Sequence, residues 1–328
     1  ERIAASWSES ERERVVNEQA ALDIWHASSD SPEALATLPK LELSDVSPEP
    51  EEYPTAEGEL AGVKLLRHEL PSMGISYVSP CFDGSGLTGE ELAAVNFFGG
   101  VLGKVDTAAH SAQELSSLIR LYCGSMSFDV NVYESSASRY RAEFTARVSA
   151  IESKLNKALD LLGEILTSSR LDSEREITEI LRQRRTGMMQ QLINNGHSAS
   201  IGRAASQFTA GSAANEWANG FDYYNWLKRR VSDNNFATLS ADMSAAATKA
   251  VVRSGLTVSI TGLHSDSVDA AVARLIDALP EGAGVSGPGV TQRGVRREGI
   301  EIPSDVGYAA MGGLSGEFDG YWQLAGRV

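Results

Sequence analysis

Two spacings of apolar residues alternate along the chain and predict a protein built from both helices and strands. Residues 125–135, "SMSFDVNVYES", and residues 140–150, "YRAEFTARVSA", carry apolar side chains at every second position, which is typical of strands with one buried face. Residues 151–168 and 173–192 instead repeat apolar side chains at helical spacing and predict two long helices.

The remaining segments extend this alternation. Strands are predicted in "GVKLLRHEL", "GISYVSPCFD" and "GLTVSITG", and helices in "TLSADMSAAATKAVV" and "DSVDAAVARLIDAL". The stretch "FTAGSAANEWANGFDYYNWLKRR", residues 208–230, is predicted to be an aromatic loop that leads into a short helix. This order of elements predicts an α+β fold in which helices cover one face of a mainly antiparallel sheet.

Three predicted helices begin with a capping box, a serine or threonine followed three residues later by a glutamate. The pairs are Thr88 with Glu91, Ser111 with Glu114, and Ser173 with Glu176. Glu114 of the second pair matters for function for another reason. It is four positions after His110, and on one helical face these two side chains could share a metal. The capping box favours another interpretation, in which His110 precedes the helix and Glu114 completes its cap. We therefore predict no metal site at His110.

The chain is predicted to have four segments. Residues 1–57 form a helical segment followed by a proline-rich, acidic connector, and residues 58–280 form the α+β domain. Residues 281–298, rich in glycine, form a linker. Residues 299–328 are expected to begin a second domain of the same kind that this sequence does not complete. Because the sequence also starts at Glu1 rather than at a methionine, we expect it to be a piece of a longer polypeptide.

Composition narrows the possible partners and compartments. The 328 residues carry a formal net charge of −15 and an estimated pI of 4.8, which argues against nucleic acid as a partner. No stretch approaches the roughly 18 consecutive apolar residues that a membrane helix needs, so no membrane association is expected. Cys81 and Cys123 are predicted to be free thiols, which fits a reducing compartment.

Several longer stretches together resemble the pitrilysin family of zinc metallopeptidases, and in particular its long-chain subfamily of presequence protease and falcilysin. "SPEALATLPKLELSDVSPEPE" is similar to the connector between the two halves of those enzymes. "LPSMGISYVSPCFDGSGL" and "LGKVDTAAHSAQELSSLIRLYCGSMSFDVNVY" resemble the opening of their third domain. "SGLTVSITG" and "IPSDVGYAAMGG" resemble the end of that domain and the start of the fourth.

The resemblance implies a zinc peptidase whose two halves, joined by a helical hairpin, close around a peptide. The family binds zinc through an H-x-x-E-H sequence on a helix of its first domain. The five histidines of this chain are His26, His68, His110, His197 and His264, and no two of them are within five residues of each other. The chain is therefore expected to be the carboxy-terminal half, which has the fold but no metal, while the amino-terminal half of the same polypeptide binds the zinc.

None of the family's catalytic or metal-binding residues has a counterpart assigned in this sequence. The fourth domain of those enzymes supplies an arginine and a tyrosine that hold the substrate, but Arg327 is not followed by a tyrosine in this sequence. "RHEL", residues 67–70, lacks a second histidine. The glycines of "FDGSGLTGEE" are expected to form a tight connection rather than an anion site, and the basic run "RQRR", residues 182–185, is expected to be a solvated or interdomain face.

One aromatic group is a candidate for contact with substrate. It comprises Trp217, Phe221, Tyr223, Tyr224 and Trp226. These side chains could line the peptide chamber, because aromatic rings bind with little loss of conformational entropy, or they could pack in the core or between domains.

The resulting hypothesis is a non-metal half that completes the chamber, helps to enclose unfolded peptides and hydrolyses nothing by itself. The alternative is a catalytically dead scaffold or interaction subunit of the same fold, and an unrelated binding module is a third possibility. A bacterial cytoplasmic location is expected, or the lumen of an organelle if the source is eukaryotic.

Overall fold

The computed structural model describes residues 7–49, 51–262 and 264–314. The chain divides into two compact units, Glu1–Glu52 and Tyr53–Val328. The first unit contains helices α1 (Glu9–Ala27) and α2 (Pro32–Ala36) and a 3-10 turn at Leu43–Asp45.

Helix α1 begins at a capping box and buries none of its side chains. The Ser8 hydroxyl accepts a hydrogen bond from the backbone N–H of Glu11, and the Glu11 carboxylate accepts one from the backbone N–H of Ser8. Val16 and Trp25 are each 65% exposed. Their nine-residue spacing, at about 100° per residue, puts them on opposite sides of the helix. Helix α1 therefore presents apolar groups on two sides.

The described part of the second unit contains one sheet of six strands. The strands are β1 (Ala56–Leu60), β2 (Val63–His68), β3 (Ile75–Asp83), β4 (Ser125–Ser136), β5 (Arg139–Ile151) and β6 (Leu256–Thr261). Their order across the sheet is β1-β2-β6-β3-β5-β4, and only β2 and β6 pair in parallel. The predicted mainly antiparallel sheet is confirmed.

Helices cover one face of this sheet, either directly or through other helices. They are α3 (Gly89–Val101), α4 (Ala112–Tyr122), α5 (Glu152–Ser168), α6 (Glu174–Asn194), α7 (Gly196–Ala205), α8 (Ala210–Asn219), α9 (Phe221–Asp233), α10 (Phe236–Ala250) and α11 (Asp266–Ala278). Alternate strand residues such as Val78, Phe82 and Phe144 are buried against them. The α+β fold and both long helices, α5 and α6, are therefore confirmed.

Two local predictions were wrong. Residues 208–230 form helices α8 and α9, which are separated at Gly220, instead of a loop and a short helix. Alanines supply much of the buried surface of α8, so its sequence has no stripe of large apolar residues to reveal it. Ser173 precedes α6, but its side chain caps no backbone N–H. The capping boxes at Thr88 and Ser111 are confirmed.

Strand β1 was not predicted, because nearly all of its short sequence, "AEGEL", is exposed at the edge of the sheet and shows no apolar alternation. After α11, residues 280–314 contain no helix or strand in the structure. Part of the predicted further domain, residues 315–328, lies outside the described residues.

Candidate functional site

The face of the sheet opposite the helices, here called the open face, is lined mainly by small polar side chains. Strand register aligns His68, Thr261, Tyr77, Ser149 and Ser125 in one row across five strands. Tyr77 is 45% exposed, and the hydroxyls of Ser125 and Ser149 lie 2.8 Å apart. Ser149 is buried, so the exposed hydroxyls of this row are those of Tyr77 and Ser125, which can both donate and accept hydrogen bonds.

A second row on the open face combines polar, thiol and charged groups. It aligns Lys64, Thr257, Cys81, Thr145 and Asp129. Burial is the largest cause of the raised pKa of the Cys81 thiol, so it stays protonated at neutral pH. No activating base is bonded to a hydroxyl or thiol in these two rows, since the ring of His68 bonds instead to the hydroxyl of Thr55, with 3.0 Å between Nδ1 and Oγ1.

A buried group of charges lies on the helical side of the unit. Arg203 on α7 donates to the carboxylates of Glu216 and Asp222, each at 3.0 Å, and to Glu298 at 2.8 and 2.9 Å. Arg293 forms a further ion pair with Asp222. Burial raises the pKa of Glu216, whereas hydrogen bonds from Arg203 lower the pKa of Glu298. This ionic cluster joins α7, α8 and α9 to the segment that follows α11.

The same segment is held at other points along its length. The hydroxyl of Tyr140 accepts a hydrogen bond from the backbone N–H of Val290 at 2.6 Å and donates to the carbonyl of Ser85 at 3.1 Å. The backbone N–H of Arg293 donates to the carbonyl of Ser206 at 3.1 Å. A cavity of about 570 Å³ lies between helix α7 and residues 295–312. Sequence patterns could not reveal this arrangement, because partners such as Arg203 and Glu298 are far apart in the chain.

The candidate aromatic residues do not form one surface. Tyr223 and Trp226 are completely buried, Phe221 is 8% exposed, and Trp217 and Tyr224 are half-buried. The guanidinium of Arg230 lies 5.2 Å from the centre of the Trp226 ring, and the ring of Trp217 packs against Gly89. In this arrangement Tyr223 and Trp226 belong to the core and cannot touch a peptide. Contact of the other three with substrate stays a prediction.

His110 lies just before helix α4 and contacts helix α5. Ser111 and Glu114 form a capping box at the start of α4, as predicted. The imidazole Nδ1 of His110 lies 2.9 Å from Oε1 of Glu164 on α5, and the hydroxyl of Thr107 donates to the same carboxylate oxygen. His110 and Glu164 thus connect the loop before α4 to helix α5.

The other motifs from the sequence also have structural positions. His68 ends β2, and Gly86 in the glycine-containing turn lies against the backbone of Gly287. Arg184 of the basic run lies over the ring of Tyr223 at 5.8 Å. Across residues 7–49, 51–262 and 264–314, no three His, Cys, Asp or Glu side chains come together in a way that could hold a metal ion. None of the helices in those ranges is long and apolar enough to cross a membrane.

Comparison of the sequence with known proteins identifies its family. The sequence profile for the region associated with M16 peptidases of subfamily C matches residues 1–229. Protein HypA of Clostridium perfringens (strain 13 / Type A) is 24% identical over 317 residues, which are 95% of this chain and 33% of that protein. Presequence protease 1, chloroplastic/mitochondrial, of Arabidopsis thaliana is 26% identical over 325 residues, 95% of this chain and 30% of that protein.

The chain thus spans about a third of the length of these relatives. A crystal structure of a conserved protein from Enterococcus faecalis V583 shares the fold, with a TM-score of 0.51 and 10% identity over 72% of this chain and 54% of that one. The resemblance to the presequence-protease subfamily seen in the sequence is confirmed by these matches. The chain belongs to the family of regions associated with M16 peptidases of subfamily C.

Proposed function

We propose that this chain is the non-metal half of a longer, zinc-dependent oligopeptidase that degrades unfolded peptides. In this proposal the open face forms part of the wall of an enclosed chamber, and the chain alone has no peptidase activity. The observation that carries the proposal is the alignment of 95% of the chain with a presequence protease that is about three times longer.

The open face supports a role in binding peptides. An unfolded peptide offers backbone N–H and C=O groups along its length, and the exposed hydroxyls of Tyr77 and Ser125 can bond to either kind. Side chains of this type are not specific for one sequence, which suits an enzyme that degrades many peptides. Enclosure of the peptide would exclude water and order the substrate near the scissile bond.

Helix α1 supports the amino-terminal half of the same polypeptide as a partner. Val16 and Trp25 expose apolar surface on opposite sides of the helix. A helix of this kind is stabilised when it is packed between two neighbours, so we infer that α1 contacts the other half.

Zinc would be held outside this chain. The five histidines provide no H-x-x-E-H sequence, and the described side chains offer no group of ligands, so the residues present do not fit a zinc site. The amino-terminal half would supply both the metal and the base. The expected location is the bacterial cytoplasm, or an organelle lumen in a eukaryote.

Photo-crosslinking in the longer protein encoded by the full reading frame tests whether the open face forms part of the chamber wall. A photoreactive residue replaces either Tyr77 on the open face or Ile201, which is 61% exposed on helix α7. The proposal predicts crosslinks to an unfolded peptide from position 77 and few from position 201. Equal crosslinking at both positions, or crosslinking only at 201, would contradict it. A full-length protein without zinc or hydrolysis would favour the scaffold alternative.

A further inference from the structure

Strand β1 forms one edge of the sheet and has no strand on its outer side within the described residues. It joins β2 through the two-residue turn Ala61–Gly62, and both turn residues have positive φ angles, 50° and 77°. These values are typical of a type I′ turn, in which Leu60 and Val63 face each other with hydrogen bonds between them.

The register identifies the backbone groups that remain free on β1. Hydrogen-bonded and outward-facing residues alternate along an antiparallel edge strand. Since Leu60 bonds to β2, Gly58 does so as well, while Glu57 and Glu59 direct their N–H and C=O groups away from the sheet. An edge of this kind can pair with another extended chain.

Glutamate side chains stand beside these free groups on the open face. Glu57 is opposite Leu66, and Glu59 is opposite Lys64. The ammonium of Lys64 lies 2.9 Å from the carboxylate of Glu57, where both side chains are more than half exposed. The two carboxylates therefore leave one negative charge uncompensated at the edge, and an added strand would meet it with the side chains that point to this face.

The opposite face of the same edge borders a cavity with both apolar and charged lining residues. A cavity of about 430 Å³ lies beside the start of β1. Ala56, Ile260 and Val268 form its apolar part, and its charged part includes Arg67, whose guanidinium pairs with Asp269 at 2.6 Å. Ile260 and Val268 are almost fully buried, and strand register places Ala56 and Ile260 on the helical face. A strand added outside β1 would direct every second side chain to this face, and the side chain beside Ala56 would lie at the cavity.

We propose that the free edge of β1 binds an extended peptide segment in which basic and apolar side chains alternate. The peptide pairs with the backbone of Glu57 and Glu59, its basic side chains meet the two glutamates, and an apolar side chain enters the cavity beside Ala56. The inference rests on the proposed function, because it names a class of unfolded peptide that the enclosed chamber would receive and adds a binding site at the edge of the sheet. A folded partner cannot offer an unpaired backbone in this way unless it has a free edge strand of its own.

The test measures binding of fluorescent peptides to the 328-residue chain by anisotropy. One peptide alternates lysine with valine, and a matched peptide alternates glutamate with valine. Glu59→Gln removes the charge alone, whereas Glu59→Pro also removes the outward N–H and leaves the bonds to β2 intact, since proline is tolerated on the free side of an edge strand. Glu281→Gln, at an exposed site outside the sheet, is the control.

The proposal predicts that the lysine peptide binds more tightly than the glutamate peptide and that added salt reduces this difference. Glu59→Gln weakens binding about threefold and Glu59→Pro about tenfold, because one hydrogen bond is lost in addition to the charge. Glu281→Gln has no effect. Glu57→Pro repeats the backbone test at a second position, and unchanged thermal unfolding confirms that each variant is folded.

Equal binding of the two peptides, or equal affinity of Glu59→Gln and Glu59→Pro, would overturn the proposal. Its failure is distinct from failure of the proposed function. If the longer protein hydrolyses peptides and crosslinks them at position 77 while Glu59→Pro has no effect, the edge site alone is wrong.

Discussion

Arg203 and Glu298 are joined by two parallel hydrogen bonds, 2.8 Å from Nε to Oε2 and 2.9 Å from Nη2 to Oε1. The two residues are 95 positions apart, and their pairing fixes the segment after α11 against helix α7. The Arg203 side chain is only 13% exposed, so this pair is well shielded from solvent.

Loss of this pair is expected to destabilise the domain. Glu298→Gln removes the charge but keeps a similar shape, and we predict a decrease of about 1–3 kcal/mol in the free energy of unfolding. Urea denaturation followed by circular dichroism measures this change. Glu281→Gln is a suitable control, because its side chain is 85% exposed, and it should unfold like the parent chain. A Glu298→Gln variant as stable as the control would show that the pair does not hold the segment.

The effect of Glu298→Gln should depend on pH. The hydrogen bonds from Arg203 lower the pKa of Glu298 in the folded state. A carboxyl group with a lowered folded pKa stabilises the protein above its unfolded pKa, about 4.3, and loses this contribution as the pH falls through the folded value. The stability difference between parent and variant should therefore be constant near neutral pH and shrink below about pH 4. A stability difference that grows on acidification would mean that the pKa of Glu298 is not lowered in the folded state.

Burial of Cys123 should make its thiol slow to react. Burial raises the pKa of this thiol to about 11, so about one molecule in a thousand carries the thiolate at pH 8. Alkylation by iodoacetamide, located by mass spectrometry, should be slow at that pH and become about tenfold faster for each added pH unit. Urea should abolish the protection. Rapid labelling of the folded chain at neutral pH would contradict this prediction.

The two candidate tryptophans should behave differently. Trp226 is completely buried, and Trp226→Ala is predicted to lower the free energy of unfolding by about 3–5 kcal/mol. Trp217 is half-buried on α8, and Trp217→Ala should cost less. Acrylamide quenching of single-tryptophan variants provides an independent readout, with Trp217 quenched more strongly. Similar quenching and similar stability losses would contradict the assignment of Trp226 to the core.

The features that sequence could predict are those encoded by local patterns. Alternation in β4 and β5, helical spacing in α5, and the capping box at Ser111 depend on residues within a few positions of one another. Helix α8 was missed because alanine provides its buried face, and β1 because an exposed edge strand has no apolar alternation to recognise.

The binding features depend on pairing between distant segments. Arg203 has no sequence signal, since its carboxylate partners come from three separate segments. The cavity beside Ala56 exists only because β2 and β6 pair in parallel, and nothing in either strand specifies that partner. The family resemblance indicated the fold and the expected absence of a zinc box, but it could not identify which side chains are exposed.

The most direct test of the proposed function compares peptide hydrolysis and bound zinc in this chain and in the longer protein encoded by its reading frame. The account predicts that the chain is inactive and free of zinc, whereas the longer protein contains zinc and loses its activity when a chelator is added. Stoichiometric zinc and peptide hydrolysis in the 328-residue chain itself would contradict the account.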